Sequence, residues 1–304
     1  MVKPSFKIIG LLIPLFLTSC SADENRNLEK EKRVMTQEEN HREDIKKIEI
    51  HTMFEVAYYG QPQLIQRYLD HNHSINAIDK NGATPLYYAI QTNQVETIKP
   101  LIYKGADISH QNKLGQTPLH MAVSLGRGKI VKILLESKAD INATDKNGLT
   151  PLIYAIENRQ TNIAQYLIEK GAGLEADKKY KLTPLHIAIQ NKNINILKIL
   201  LDKNVDINSK NIDGYAPLHY AVIANSFKAV EMLVNRGAKI DLQDNEGSTS
   251  LHIAAMKGYI KIVKFLLAKG ANKTIKDKNG MSSLSFAQQS WSQALKKVML
   301  DEKK

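Results

Sequence analysis

The chain predicts an all-α repeat solenoid, and three periodic features predict it. The triplet Thr84-Pro85-Leu86 returns as Thr117-Pro118-Leu119, Thr150-Pro151-Leu152 and Thr183-Pro184-Leu185, then as the degraded Ala216-Pro217-Leu218, Thr249-Ser250-Leu251 and Ser282-Ser283-Leu284, always 33 residues apart. Three residues after each leucine stands an alanine: Ala89, Ala122, Ala155, Ala188, Ala221, Ala254 and Ala287. Fifteen residues after each of the first six leucines stands another: Leu101, Leu134, Leu167, Leu200, Leu233 and Leu266. One further step back reaches Met53, with Val56 at the alanine position, so a worn unit precedes the clear ones and the array holds about seven to eight units.

Each unit spells out its own elements. Threonine caps the free amides of a helix start, and proline fits the first helical turn, so a helix opens at every Thr-Pro. In the third clear unit this predicts a short helix over 151–158. A second follows over 161–170, with apolar Ile163, Ala164, Tyr166, Leu167 and Ile168. Gly171 ends it, because glycine tolerates the left-handed backbone of a helix terminus. Asp145-Lys146-Asn147-Gly148 then supplies a tight turn before the next Thr-Pro. A unit built as helix, turn, helix and hairpin loop cannot bury its own apolar face, so stability comes from stacking, with atypical units at the ends.

This pattern resembles the ankyrin repeat, whose signature is a 33-residue period with Thr-Pro-Leu-His-x-Ala. Thr117-Pro118-Leu119-His120-Met121-Ala122 and Thr183-Pro184-Leu185-His186-Ile187-Ala188 match it in full. The resemblance implies an ankyrin domain over residues 46–304, with an N-terminal cap over 46–78, repeats over 79–276 and a C-terminal cap over 277–304. It also implies a structural role for His120, His186, His219 and His252, whose rings bond neighbouring loops. Three departures are local. Lys181 replaces a loop glycine, which predicts a different loop backbone from Lys178 to Leu182. Lys138 replaces a helix-stopping glycine, and Pro100 falls inside a second helix, where it removes a hydrogen bond and favours a kink.

The first fifty residues are of another kind. Lys3 and Lys7 flank an apolar stretch from Ile8 to Leu17, too short for a comfortable membrane span and the right length for the apolar core of a signal peptide. It runs into Leu17-Thr18-Ser19-Cys20, which resembles the lipobox of bacterial lipoproteins. Residues 1–19 are then a signal peptide. Residues 20–45 are the lipidated Cys20 and a charged tether. Cys20 is the only cysteine, so no intramolecular disulfide competes for it. The resemblance implies lipidation at Cys20 and a place in the bacterial cell envelope, with Ser21 favouring the outer membrane, at its periplasmic face or the cell surface. An uncleaved N-terminal anchor and an ordinary cleaved signal are the alternatives. As a random coil, residues 21–50 reach about 30 Å.

The formal net charge is +11, while residues 21–50 hold nine acids and seven bases, so the basic excess belongs to the repeats. Lys80, Lys113, Lys146 and Lys179 occupy one loop position, and Lys278 recurs there. Such a row reads either as an electropositive rim that steers acidic partners or as ordinary solvated hairpin tips. Nucleic acid is not expected, because an exported lipoprotein would rarely meet it and no binding motif is recognised.

No catalytic residue, metal site or cofactor is expected, and the chain reads as a non-enzyme. There is no phosphate-cradling glycine loop, nucleophile elbow or His-Glu-x-x-His. His71 and His73 lack a ligand cluster around them. Asp140, Asp206 and Asp241 follow the repeat register as loop formers. The functional signal lies instead at the variable positions around the loop glycine and the inter-helix turn. These are polar early, at Lys80, Asn81, Gln91 and Thr92, and apolar in the middle, at Leu149, Tyr180, Leu182, Ile212, Tyr215 and Ile223. The apolar set reads as anchors for a protein partner; the competing reading is that Leu149, Leu182 and Tyr215 pack onto the next loop. The expectation is a monomeric, membrane-anchored scaffold that binds a protein through hairpin tips and a concave helix face. A regulatory or protective subunit of an exported enzyme, or a surface protein engaging host or acidic partners, is the alternative.

Overall fold

The computed structural model describes residues 52–177, 180–203 and 205–300. The signal peptide, Cys20, the tether and Lys179 of the lysine row lie outside the described residues.

Among the described residues, sixteen α-helices alternate between a first and a second helix per unit. The first helices are α1 (Met53–Tyr58), α3 (Pro85–Gln91), α5 (Pro118–Ser124), α7 (Pro151–Glu157), α9 (Pro184–Gln190), α11 (Pro217–Ile223), α13 (Ser250–Met256) and α15 (Ser283–Gln289). The second are α2 (Ile65–Asp70), α4 (Val95–Tyr103), α6 (Gly128–Glu136), α8 (Thr161–Glu169), α10 (Ile194–Leu201), α12 (Phe227–Asn235), α14 (Ile260–Ala268) and α16 (Gln293–Leu300). A 3-10 turn at Pro62–Leu64 precedes α2. Successive first helices pack on one another, and each packs on its own second helix. Among the described residues there is no strand, only isolated antiparallel bridges at Gln243 with Thr249 and Lys276 with Ser282. None of these helices is long and apolar enough to cross a membrane.

The periodic residues build this stack. Thr117, Thr183 and Thr249 each accept the amide of the residue three ahead at 3.4 Å, and Thr150 does the same for Ile153. Leu101, Leu134, Leu167, Leu200, Leu233 and Leu266 are all fully buried between helices, each contributing about 1.5–3 kcal/mol by leaving water. The alanines from Ala89 to Ala287 are equally buried, where helix meets helix and little room remains.

Left-handed positions recur at up to three places per unit among the described residues, and several are held without glycine. Lys138 (φ 70°) keeps the helix-ending conformation expected of glycine. Asn93, Arg159, Lys192 and Asn225 do so in the inter-helix turns. Helix α4 runs unbroken through Pro100, whose missing amide would have bonded only the first-turn carbonyl of Glu96.

The expected change at Lys178 to Leu182 takes the form of a register slip. Lys181 is left-handed (φ 55°) like the glycines it replaces. The turn around it is one residue longer: the Asp177 amide donates to the Leu182 carbonyl at 2.9 Å, where Asp145 donates to Leu149. The stretch from Ala172 to Asp177 is one residue shorter than that from Ala139 to Asp145, so the period of 33 survives.

Candidate interaction surface

Hairpin tips are set by an acid or amide at the turn's first position. Asp145 Oδ1 accepts the amides of Asn147 at 2.8 Å and Leu149 at 2.9 Å. Asn211 and Asp244 act alike in their turns, while Asp177 accepts from Tyr180 and Leu182 across its longer loop. The tips then bond to one another. Lys113 donates its amide to the Asn81 carbonyl at 3.0 Å, Lys146 to Leu114 at 3.1 Å, Ile212 to Tyr180 at 3.0 Å, Asn245 to Asp213 at 3.1 Å and Lys278 to Glu246 at 2.9 Å. These bonds fix the spacing of whatever the tips carry.

On that edge Lys80, Lys113, Lys146 and Lys278 are exposed. Lys278 lies 4.0 Å from Glu246, a distance and exposure at which an ion pair is worth little. Tyr180 is 49% and Ile212 54% exposed, and the bond between their backbones sets them side by side. Leu149, Leu182 and Tyr215 are half-buried. The Tyr215 ring sits 5.7 Å from that of His219 and 6.3 Å from that of Tyr220, so part of its surface belongs to packing. Ile223 stands apart from this group. It is the last residue of α11, six steps from Pro217 at the tip end of that helix, or about 9 Å at 1.5 Å per residue. Leu114, 63% exposed at the second tip, was missed in the sequence although it precedes the loop glycine as Tyr180 precedes Lys181.

The motif histidines hold the tips to the helices. The Thr117 amide lies 3.2 Å from His120 Nδ1, which therefore accepts, leaving Nε2–H to donate to the Leu149 carbonyl of the next unit at 3.0 Å. His186 reaches Tyr215, His219 reaches Ser248 and His252 reaches Met281 in the same way, at 3.1–3.2 Å. Burial makes the charged ring costly and lowers the pKa of His120, His186 and His219, that of His186 to about 4.

One unit solves the problem differently. Tyr87 occupies the histidine position, and its hydroxyl reaches the His110 carbonyl at 2.8 Å and contacts the Gln116 carbonyl. In this unit Thr84 Oγ1 has no protein partner although buried. A second tyrosine row braces the turns from the helix side: Tyr88 donates to Asp79 at 3.0 Å and Tyr154 to Asp145 at 2.9 Å. His71 Nδ1 lies 2.7 Å from the Arg67 carbonyl of its own helix, and the His73 ring lies 5.0 Å from Tyr68. No cluster of metal-ligating side chains occurs among the described residues.

Stacked helix pairs, hairpin tips joined by backbone bonds and histidines that cross from unit to unit define a helical repeat scaffold. The family model for ankyrin repeats (3 copies) matches residues 53–145, 138–211 and 205–277. The chain belongs to the ankyrin repeat family. The solved ankyrin repeat domain of Bcl-3, a member of the IkappaB protein family, is similar at 28% identity and a TM-score of 0.66, over 72% of this chain and 99% of that one. No curated protein matches the chain.

Proposed function

We infer that this ankyrin array is a non-enzymatic scaffold that binds one protein partner through the middle hairpin tips and acts as a monomer held at a membrane by lipid on Cys20. Ankyrin repeats are protein–protein interaction modules. The observation that carries the site is the pairing of exposed Tyr180 and Ile212 on adjacent tips, flanked by Tyr215, with Lys146, Lys113 and Lys80 on the three preceding tips. Interface energy concentrates in a few such side chains, tyrosine prominent among them, while rim charges act chiefly on association rate and salt dependence.

The anchor rests on Leu17-Thr18-Ser19-Cys20 and on the lack of another cysteine. Residues 1–19 serve as the export signal, 20–45 as the tether and 46–304 as the binding domain, at the outer membrane of a bacterial envelope. Two experiments test the proposal. A photoreactive residue at position 180 or 212, in intact cells, is expected to capture one protein that the same residue at 103 does not; capture equal at all three positions counts against the site. Cys20→Ala is expected to leave the protein soluble or unprocessed, and recovery of mature-sized protein in the membrane fraction at the wild-type level counts against the anchor.

A further inference from the structure

The edge opposite the hairpin tips changes character along the array. The last residues of the first helices are Gln91, Ser124, Glu157 and Gln190 in α3, α5, α7 and α9, then Ile223 in α11 and Met256 in α13. In the following unit Trp291 lies just beyond α15. Ile223 is 45% exposed, Met256 58% and Trp291 98%, so stacking accounts for little of the last two. These turns neighbour one another, because α11, α13 and α15 pack in succession. The residues around them are basic or neutral: segments 223–228, 256–261 and 289–293 contain Lys228, Lys257 and Lys261 and no carboxylate. All three lysines are exposed, and Lys261 places its Nζ 4.0 Å from the centre of the Phe227 ring. The nearby Glu231 is occupied by Lys228, 2.8 Å away.

We propose that this turn edge, with Ile223, Met256 and Trp291 as apolar contacts and Lys257 and Lys261 as cations, docks on an anionic lipid bilayer. Tryptophan favours the headgroup level of a membrane, where its ring is half in apolar surroundings and its N–H is wet. Lysine lays its stem along apolar surface and keeps its ammonium among phosphates. A concave pocket is not needed: the side chains stand on the turns between helices, which suits a flat partner. The surface is read from the repeats alone and does not depend on lipidation of Cys20 or on the partner site at the tips.

Trp291 is the single tryptophan, so its fluorescence reports on this turn alone. The test uses the full chain carrying Cys20→Ser, mixed with vesicles of neutral phosphatidylcholine or of the same lipid with about a third phosphatidylglycerol. The expected result is a blue shift of Trp291 emission with the anionic vesicles only. It should disappear in high salt and in the Lys257→Glu/Lys261→Glu variant, and weaken several-fold in titration with Ile223→Ser/Met256→Ser. Insertion of the N-terminal apolar segment would sediment the protein without moving this emission, so the anchor and the edge fail separately. Unmoved emission with anionic vesicles, an equal shift with neutral ones, or a shift that survives the lysine reversal overturns the proposal. A shift produced by poly-glutamate and not by vesicles would overturn it too, and assign the edge to an acidic protein.

Discussion

The amide of Ile212 donates to the carbonyl of Tyr180 at 3.0 Å, joining the tip of one unit to the tip of the next. Two exposed side chains thereby share a rigid edge, although the loop that carries Tyr180 is one residue longer than its neighbours. The same backbone bond recurs at other tips, where it sets the distance between lysines. Spacing at the binding edge is therefore a property of the backbone, and side chains vary on it freely.

That reading makes tip glycines unequal. A Cβ on Gly115 (φ +78°) would stand 2.6 Å from the Lys146 amide nitrogen, while one on Gly280 (φ +76°) meets no described atom within 4 Å. Both alanine variants carry the left-handed cost of about 1–2 kcal/mol. Gly115→Ala also has to displace the next tip and lose the Lys146–Leu114 bond, so it should cost at least about 1 kcal/mol more than Gly280→Ala. Urea unfolding of the two variants checks this, and equal midpoints would show that the tips do not support one another.

Threonine caps differ from unit to unit as well. Thr117 Oγ1 lies 2.9 Å from His120 Nδ1 and caps α5, whereas Thr84 Oγ1 is buried without a protein partner. Thr117→Val should lose about 1–2 kcal/mol. Thr84→Val removes an unpaired polar atom at nearly constant shape and should fall within about 0.5 kcal/mol of the parent, or above it. Thermal melts of both variants decide the matter; a large loss at Thr84 would mean that its hydroxyl has a partner after all.

The buried histidines give the domain an acid limit. Burial pushes the His186 ring down to about 4 from its ordinary 6.5. Below pH 6.5 the unfolded chain takes up a proton that the folded chain refuses, so the stability due to the neutral ring is complete above 6.5. It is lost as pH falls toward 4, by on the order of 3 kcal/mol for this ring. His120 and His219 are shifted the same way and add to the trend. Urea midpoints measured from pH 7.5 to 4.5 should fall steadily, and less steeply in His186→Gln. A flat profile would contradict the burial of these rings in their neutral form.

Much of this was legible in the sequence because stacking imposes one environment per position. Leu167 and Ala155 are buried for the same reason as every residue 33 before or after them, and the histidine bonds follow from the motif. What escaped were substitutions that keep a role while changing the residue, and displacements that cancel within a period. Tyr87 reaches the loop carbonyl that histidine reaches elsewhere, but with a longer side chain. The slip at Asp177 is invisible to a count of 33, since one residue is lost before it and regained after it. The apolar set Leu149, Tyr180, Leu182, Ile212, Tyr215 and Ile223 looks continuous as a string of variable positions. The length of a seven-residue helix separates Ile223 from the rest, and the half-burial of Leu149, Leu182 and Tyr215 gives the packing reading a share. Leu114 escaped because it is a lone apolar residue among polar tips, with Asn81 and Asn147 at the same position in the units on either side.

The most direct test of the account is the affinity of the double variant Tyr180→Ala/Tyr215→Ala for the protein captured at position 180. Partner binding through these tips predicts a loss of tenfold or more, at least about 1.4 kcal/mol, with thermal stability nearly unchanged, since both rings are partly exposed and neither lies in the stacked core. Charge reversal of Lys80, Lys113 and Lys146 should mainly slow association at low salt. Unchanged affinity in the tyrosine pair, together with lost binding in the lysine variant, would contradict the account and make the lysine row the site.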